Sequence, residues 1–176
     1  SNQKYTDLSE TRYGAAILND CKYGISVHES QMRLSLHKGG SRPDYRGDKG
    51  LHTCKYALLP HAEGFGAKSV IQPAYMFNVQ PLIVQGNRQE ESFLRIDADN
   101  IIVEAIKPLE DAERAYIIRL YEAEGTHTTT KMHFNQQVKH LALTNMLEEI
   151  TEELPISQEL SLTFRAFEIK TIKVCY

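Results

Sequence analysis

The sequence predicts an all-β protein built as an antiparallel β-sandwich, and three observations carry that prediction. Apolar and polar residues alternate with a period of two, as in Met32-Arg33-Leu34-Ser35-Leu36 and Tyr116-Ile117-Ile118-Arg119-Leu120-Tyr121-Glu122, so that each strand has one wet face. The alternating runs are rich in β-branched and aromatic residues, which suit a pleated, half-buried surface. They are short and cut by turn residues, at the spacing of sandwich strands.

In chain order, strands are expected at Ala15 to Asn19, Gly24 to Val27, Met32 to Leu36 and Leu51 to Leu59. The second half adds Phe93 to Ile96, Ile101 to Ile106, Tyr116 to Glu122, Thr128 to Phe134, Val138 to Leu143, Leu160 to Phe164 and Phe167 to Val174. Asn19-Asp20 through Gly24 reads as a hairpin loop between two short apolar runs. Residues 39–50, from Gly39-Gly40 through Pro43-Asp44 to Gly50, form a long polar excursion, of the length that functional loops reach. The polar break from Gln85 to Glu91 is the best internal boundary, giving domains at 1–86 and 87–176. Pro108 to Arg114 and Glu124-Gly125 read as further loops. Helix is scarce. Ala67 to Asn78 has room for a turn or two interrupted by Pro73, and Asn145 to Glu153 reads as either a short helix capped by Asn145 or an irregular acidic loop.

Composition narrows the class. The 176 residues are 41% hydrophobic and 24% charged, with a net charge of −3 from 20 Lys and Arg against 23 Asp and Glu, as in a globular domain with a real core. That balance argues against nucleic acid or an anionic membrane as partner, and no apolar run is long enough for a spanning helix. Cys21, Cys54 and Cys175 are odd in number and far apart, which suits reduced thiols in a cytoplasmic setting rather than a disulfide framework or a zinc knuckle. Ser1-Asn2 looks like the scar of a cleaved tag, so the chain is expected to be a piece of a longer protein.

Motifs for chemistry are weak. There is no G-x-S-x-G, no H-E-x-x-H and no phosphate loop after a strand, and Gly64-Phe65-Gly66 is only a G-x-G. His127 and His133 fall on one side of a strand but advertise no third or fourth metal ligand. His52 shares a phase with Cys54 and Tyr56, as a partly buried histidine with a partner would. Asp44 and Asp48 are the best carboxylate pair, at a spacing that suits a glycosidase, although Asx turns and ion pairs to Arg42 or Arg46 account for them more cheaply.

Several ordered motifs over residues 13–174 nevertheless resemble one family. Leu18-Asn19-Asp20-Cys21-Lys22-Tyr23-Gly24 and Arg33-Leu34-Ser35-Leu36 are similar to stretches in the C-terminal region of glycoside hydrolase family 38 α-mannosidases, the first closest to the cytosolic and bacterial branch. So are Pro43-Asp44 with Asp48, Gly50 and His52, and Tyr56-Ala57-Leu58-Leu59-Pro60-His61. Ala74-Tyr75 with Asn78 and Pro81-Leu82, Ile106-Lys107 with Glu110-Asp111, Arg119-Leu120-Tyr121-Glu122 with Gly125, and Phe167 to Thr171 follow in order. Departures lie at His37-Lys38, Gly39 to Arg42 and Thr53-Cys54-Lys55, where the chain is more basic and richer in glycine.

The resemblance implies a parent that is a retaining exo-α-mannosidase holding one divalent metal, usually zinc. Its nucleophile and ligands would sit in an upstream β/α domain, the partner of this chain, and the mannoside substrate would bind there. This chain would then be the end of a galactose mutarotase-like supersandwich plus a smaller C-terminal sandwich, without catalytic or metal-binding residues. Two polar knots, Asn19, Asp20, Lys22 and Tyr23 at a hairpin and Asp44, Asp48 and His52 in the long loop, suit either sugar hydroxyls or docking onto the catalytic domain. A free-standing carbohydrate-binding module using Tyr23, Tyr45 or Phe65 and a purely structural interaction domain are the rivals. Another is a metal enzyme using His52, His61 and the aspartates. A sandwich cut mid-domain leaves edges unpaired, so a homodimer is also expected.

Overall fold

The computed structural model describes residues 1–87, 90–109 and 114–176, and these form two compact units, Ser1–Val84 and Gln85–Tyr176. Arg88 and Gln89, in the expected polar break, and residues 110–113, which include Glu110-Asp111 of the resemblance, lie outside the described residues. Among the described residues all strand pairings are antiparallel.

In the first unit β1 (Tyr5–Ser9), β2 (Tyr13–Asn19) and β5 (Tyr56–Ala62) form a sheet in the order β1-β2-β5, and β3 (Gly24–His28) pairs with β4 (Gln31–Ser35) as a separate hairpin. A π-helical turn (Ala67–Ile71) runs into α1 (Gln72–Asn78). Pro73 does not interrupt this helix. It stands in the first turn of α1, where a missing N–H costs nothing. Ala16 and Leu18 of β2 bury themselves against Val70 and Ala74.

One polar contact crosses that sheet. His61 lies opposite Gly14, and its Nε2 reaches past β2 to Asp7 Oδ1 on β1 at 2.8 Å, the two side chains 6% and 7% exposed. The crossing requires glycine, because a Cβ at position 14 would collide with both the His61 ring and the Ser9 side chain. Ser9 Oγ donates to the other Asp7 oxygen at 2.6 Å, so the buried carboxylate is satisfied on both sides.

The second unit is built of two sheets packed on one core. β7 (Ile101–Pro108), β8 (Ala115–Glu122), β10 (His140–Thr144), β11 (Ile150–Glu153) and β13 (Ile169–Cys175) form one sheet in the order β11-β10-β13-β8-β7. β6 (Leu94–Ile96), β9 (Thr128–Phe134) and β12 (Glu159–Phe164) form the other, in the order β12-β9-β6. Ile118, Leu120, Leu141, Ile172 and Val174 of the first sheet share one core with Met132, Phe134, Leu160, Leu162 and Phe164 of the second.

Further local expectations are corrected. The Asn19 to Gly24 turn is not a hairpin loop, because β2 pairs with β1 and β5 while β3 pairs with β4. Asn145 to Glu153 is not a helix but a turn followed by β11. Asn145 Oδ1 accepts from the Leu147 and Glu149 amides at 2.9 and 3.0 Å, an Asx turn that outcompetes the helix ladder. The strand expected from Leu51 begins only at Tyr56, and Tyr5–Ser9 is a strand that the pattern did not announce.

Glu122 is the one acid in the second unit that is wholly buried, at 0% exposure among the described residues. Its Oε1 accepts from Asn100 Nδ2, the Glu124 amide and Thr126 Oγ1, at 2.9, 2.9 and 3.0 Å. Its Oε2 accepts from the Gly125, Thr126 and Phe167 amides, at 2.8, 3.1 and 3.0 Å. Gly125 has φ +74 and lies against the Phe167 ring, where a Cβ would clash. Burial pushes the Glu122 pKa up, but the Phe167 and Glu124 amides, Asn100 and Thr126 together overcome it and hold the group down at about 2. The stability this supplies is complete above pH 4.5 and is lost as pH falls from 4.5 through about 2. Glu122→Gln turns one acceptor into a donor facing donors, so urea unfolding should show a loss of about 3 kcal/mol at neutral pH. The variant should also show a shallower fall in stability over the acid range. An unchanged midpoint would refute the role.

Candidate functional site

The sequence-derived candidates all lie in the first unit, at the turn that ends β2 and on the long loop before β5. Asn19, the last residue of β2, is fully buried. Its Oδ1 accepts from the Lys22 amide at 2.9 Å and its own amide donates to the Lys4 carbonyl at 2.9 Å. Asn2 completes the turn. With its amide oriented to match its neighbours, its nitrogen donates to the Lys22 and Tyr23 carbonyls at 3.1 Å, while its oxygen accepts from Asn19 Nδ2 at 3.1 Å and Thr6 Oγ1 at 2.8 Å. Lys22 and Tyr23 enter this web through the backbone, leaving the Tyr23 ring half exposed.

Asp20 ties the turn to the far end of the loop. Its Oδ1 accepts from the Lys55 amide at 3.0 Å, and its amide donates to the Lys55 carbonyl at 3.2 Å. The Cys21 thiol points at the Thr53 carbonyl at 3.9 Å. The Cys21 thiol beside it, then the Lys55 amide, hold the Asp20 carboxyl below its usual range. In return the Asp20 carboxylate, with some burial, pushes the Cys21 thiol up. Deprotonation of Cys21 is thereby made harder than for a free thiol.

The second knot behaves differently. Asp44, Asp48 and His52 are all exposed. Asp44 Oδ1 accepts from the Arg46 amide at 2.9 Å, an Asx turn. His52 Nε2 meets the Asp48 carbonyl, and its ring lies 4.6 Å from that of His37. His52 therefore has the partner expected of it, but it stands on a loop rather than a strand and is not buried. Asp48 and His52 line a common open cavity of about 420 Å³ and Asp44 does not. The first knot meets the base of the loop that carries the second at Thr53 and Lys55.

Among the described residues no three His, Cys, Asp or Glu side chains converge to hold a metal ion. His133 lies 3.0 Å from Asp97 and His140 2.8 Å from Glu153. The three cysteines are free. Sequence reasoning missed the Asp7–His61 contact, although a glycine facing a histidine across a strand pair marks such a crossing.

The opposite face of the β1-β2-β5 sheet is apolar and incompletely covered. Two open grooves run along it, one lined by Ile17, Leu34, Leu36, Tyr56, Ala57 and Leu58 and one that includes Leu8, Tyr13, Ala15 and Met32, of about 300 and 390 Å³. Leu58 is 69% exposed and Tyr13 64%. A scattered exposed leucine is ordinary, but a continuous row of this kind marks a surface made to be covered.

The residues align with known proteins. The model of the glycosyl hydrolases family 38 C-terminal domain matches residues 1–46, and that of the family 38 C-terminal beta sandwich domain matches residues 100–172. Alpha-mannosidase 2C1 of Homo sapiens is 33% identical over 96% of this chain, and alpha-mannosidase G of Dictyostelium discoideum is 32% identical over 97%. The chain spans only 17% of the length of each. The crystal structure of an alpha-mannosidase from Enterococcus faecalis superposes with a TM-score of 0.75 at 21% identity, over 98% of this chain and 20% of that one.

Asp20→Asn removes the charge that holds the Cys21 proton. Exposed Cys21 should react with iodoacetamide several-fold faster in that variant at neutral pH, as read by mass spectrometry of the labelled peptide. An unchanged rate would mean that the carboxylate does not govern the thiol.

Proposed function

This chain belongs to the C-terminal region of glycosyl hydrolase family 38, and from that premise we propose that it is the non-catalytic scaffold of a longer α-mannosidase. The parent would hydrolyse terminal α-linked mannose with retention, using a nucleophile and a divalent metal, zinc, that residues outside this chain supply. No donor set among the described residues fits that metal. Residues 1–86 would close a large sandwich whose other strands come from the parent, and residues 87–176 would be a self-sufficient small sandwich. Three free cysteines suit a reducing, cytoplasmic location.

The observation that carries this reading is the uncovered apolar face of the β1-β2-β5 sheet. Burying one exposed leucine or tyrosine there is worth about 1.5–3 kcal/mol. Preceding strands of the parent are the natural cover. The Asn19, Asp20, Lys22 and Tyr23 turn and the Asp44, Asp48 and His52 loop sit at one end of this unit as docking elements for the catalytic domain. Their misplacement would lower activity through orientation rather than chemistry. Exposed Tyr23 and Tyr45 favour a second reading, in which the same loops touch sugar.

An assay with a chromogenic α-mannoside distinguishes these. The parent should release the aglycone while this chain alone releases none, and calorimetric titration of the chain with mannose should give no heat. Turnover by the isolated chain would overturn the scaffold reading. Saturable heat would replace docking with sugar binding.

A further inference from the structure

The loop between β4 and β5 carries five Lys and Arg over residues 37–55 against two Asp, in a chain whose net charge is −3. It is also where the sequence departs most from the family it resembles. From this charge and the geometry beneath it we infer that the loop is a binding site for a phosphate monoester, either free phosphate or the phosphate of a sugar. The inference does not rest on the scaffold reading, because every group involved belongs to this loop.

The cavity of about 420 Å³ is formed entirely by residues 37–52. Two successive turns build its cationic wall. The Gly47 amide donates to the Asp44 carbonyl at 3.0 Å, and the Lys49 amide to the Arg46 carbonyl at 3.2 Å. This brings Arg46 and Lys49 to the same cavity, three residues apart. Arg46 is braced from behind. Its Nε donates to the Tyr45 hydroxyl at 3.3 Å and its guanidinium lies 5.8 Å from the Tyr45 ring centre. The two terminal nitrogens keep the fork that suits a phosphate edge.

Glycine supplies the rest of the wall. Gly39, Gly40, Gly47 and Gly50 all line the cavity. Gly47 sits at φ +46, and a Cβ there would collide with the Gly40 carbonyl oxygen, so glycine lets the two limbs of the loop close on one another. Backbone amides without side chains allow an anion to approach closely. His37 and His52 face each other across the same space.

The acids do not cancel this wall. Asp44 spends its carboxylate on the Arg46 amide and does not line the cavity. Asp48 is the one acid that does, against Arg46 and Lys49. With the Gly47 amide committed to the Asp44 carbonyl, a tetrahedral dianion can meet the Arg46 fork, the Lys49 ammonium and an amide of Gly39, Gly40 or Gly50 at once. A planar carboxylate has too few oxygens to do so.

The test is amide NMR of the whole chain titrated with inorganic phosphate, with a hexose 6-phosphate, and with acetate at matched ionic strength. Phosphate should move the Gly39, Gly40 and Gly50 amides saturably in the millimolar range, about 1–10 mM. Acetate should leave them within about a tenth of that response. Tighter binding of the hexose phosphate would identify a sugar phosphate as the source, and equal binding would identify phosphate itself; both support the site. Arg46→Gln with Lys49→Gln should weaken binding at least tenfold while the amide spectrum of β2 and β5 stays in place. No saturation, an equal response to acetate, or an undiminished response in the double variant would each overturn the inference.

Discussion

A β-sheet has two faces, and a protein must cover the apolar part of both. The second unit meets this requirement alone, because its two sheets enclose one core from Ile118 and Leu120 to Met132 and Phe164. The first unit meets it on one face only, where the helix covers Ala16 and Leu18. Its other face presents Tyr13, Tyr56 and Leu58 along open grooves. The difference between a finished and an unfinished sandwich organises the functional reading, because an uncovered sheet face calls for a partner.

Polar groups then fix what apolar burial leaves undetermined. Glu122 gathers three segments of the second unit, the approach to β7, the β8–β9 turn and the Phe167 turn, around one carboxylate. The Asp7–His61 contact ties the outer strands of the first sheet across its middle one. Asn2 and Asn19 lock the turn after β2. Each cluster satisfies its buried atoms, which is the condition for a polar group inside to specify rather than destabilise a fold. Tyr176 is an exception. Its buried hydroxyl has no partner among the described residues, and burial lifts its pKa to about 12.

The all-β class and most strands were legible because alternation is a local signal that tertiary structure reinforces. β8 reads directly from Tyr116 to Glu122. Its inward phase, through Ile118 and Leu120, falls next on Glu122, so an acid at an inward position was visible before its partners were. What failed had long-range causes. Tyr5–Ser9 is a strand because it pairs with β2, not because its own pattern alternates. Met146, Leu147 and Ile150 stand near helical spacing, yet β10 supplies a strand partner for Ile150–Glu153 and Asn145 turns the chain first. Of the site candidates, the Asn19 turn is a buried knot and the Asp44 loop an exposed one, a distinction that spacing does not encode.

Hydrogen exchange, measured on this chain alone and within the longer parent, tests the unfinished-sandwich claim most directly. Amides of β2 and β5 should become much better protected in the parent, by about tenfold or more, while those of β8 and β13 stay as they are. Equal protection of β2 and β5 in both contexts would mean that the first unit needs no cover, and the scaffold account would fail.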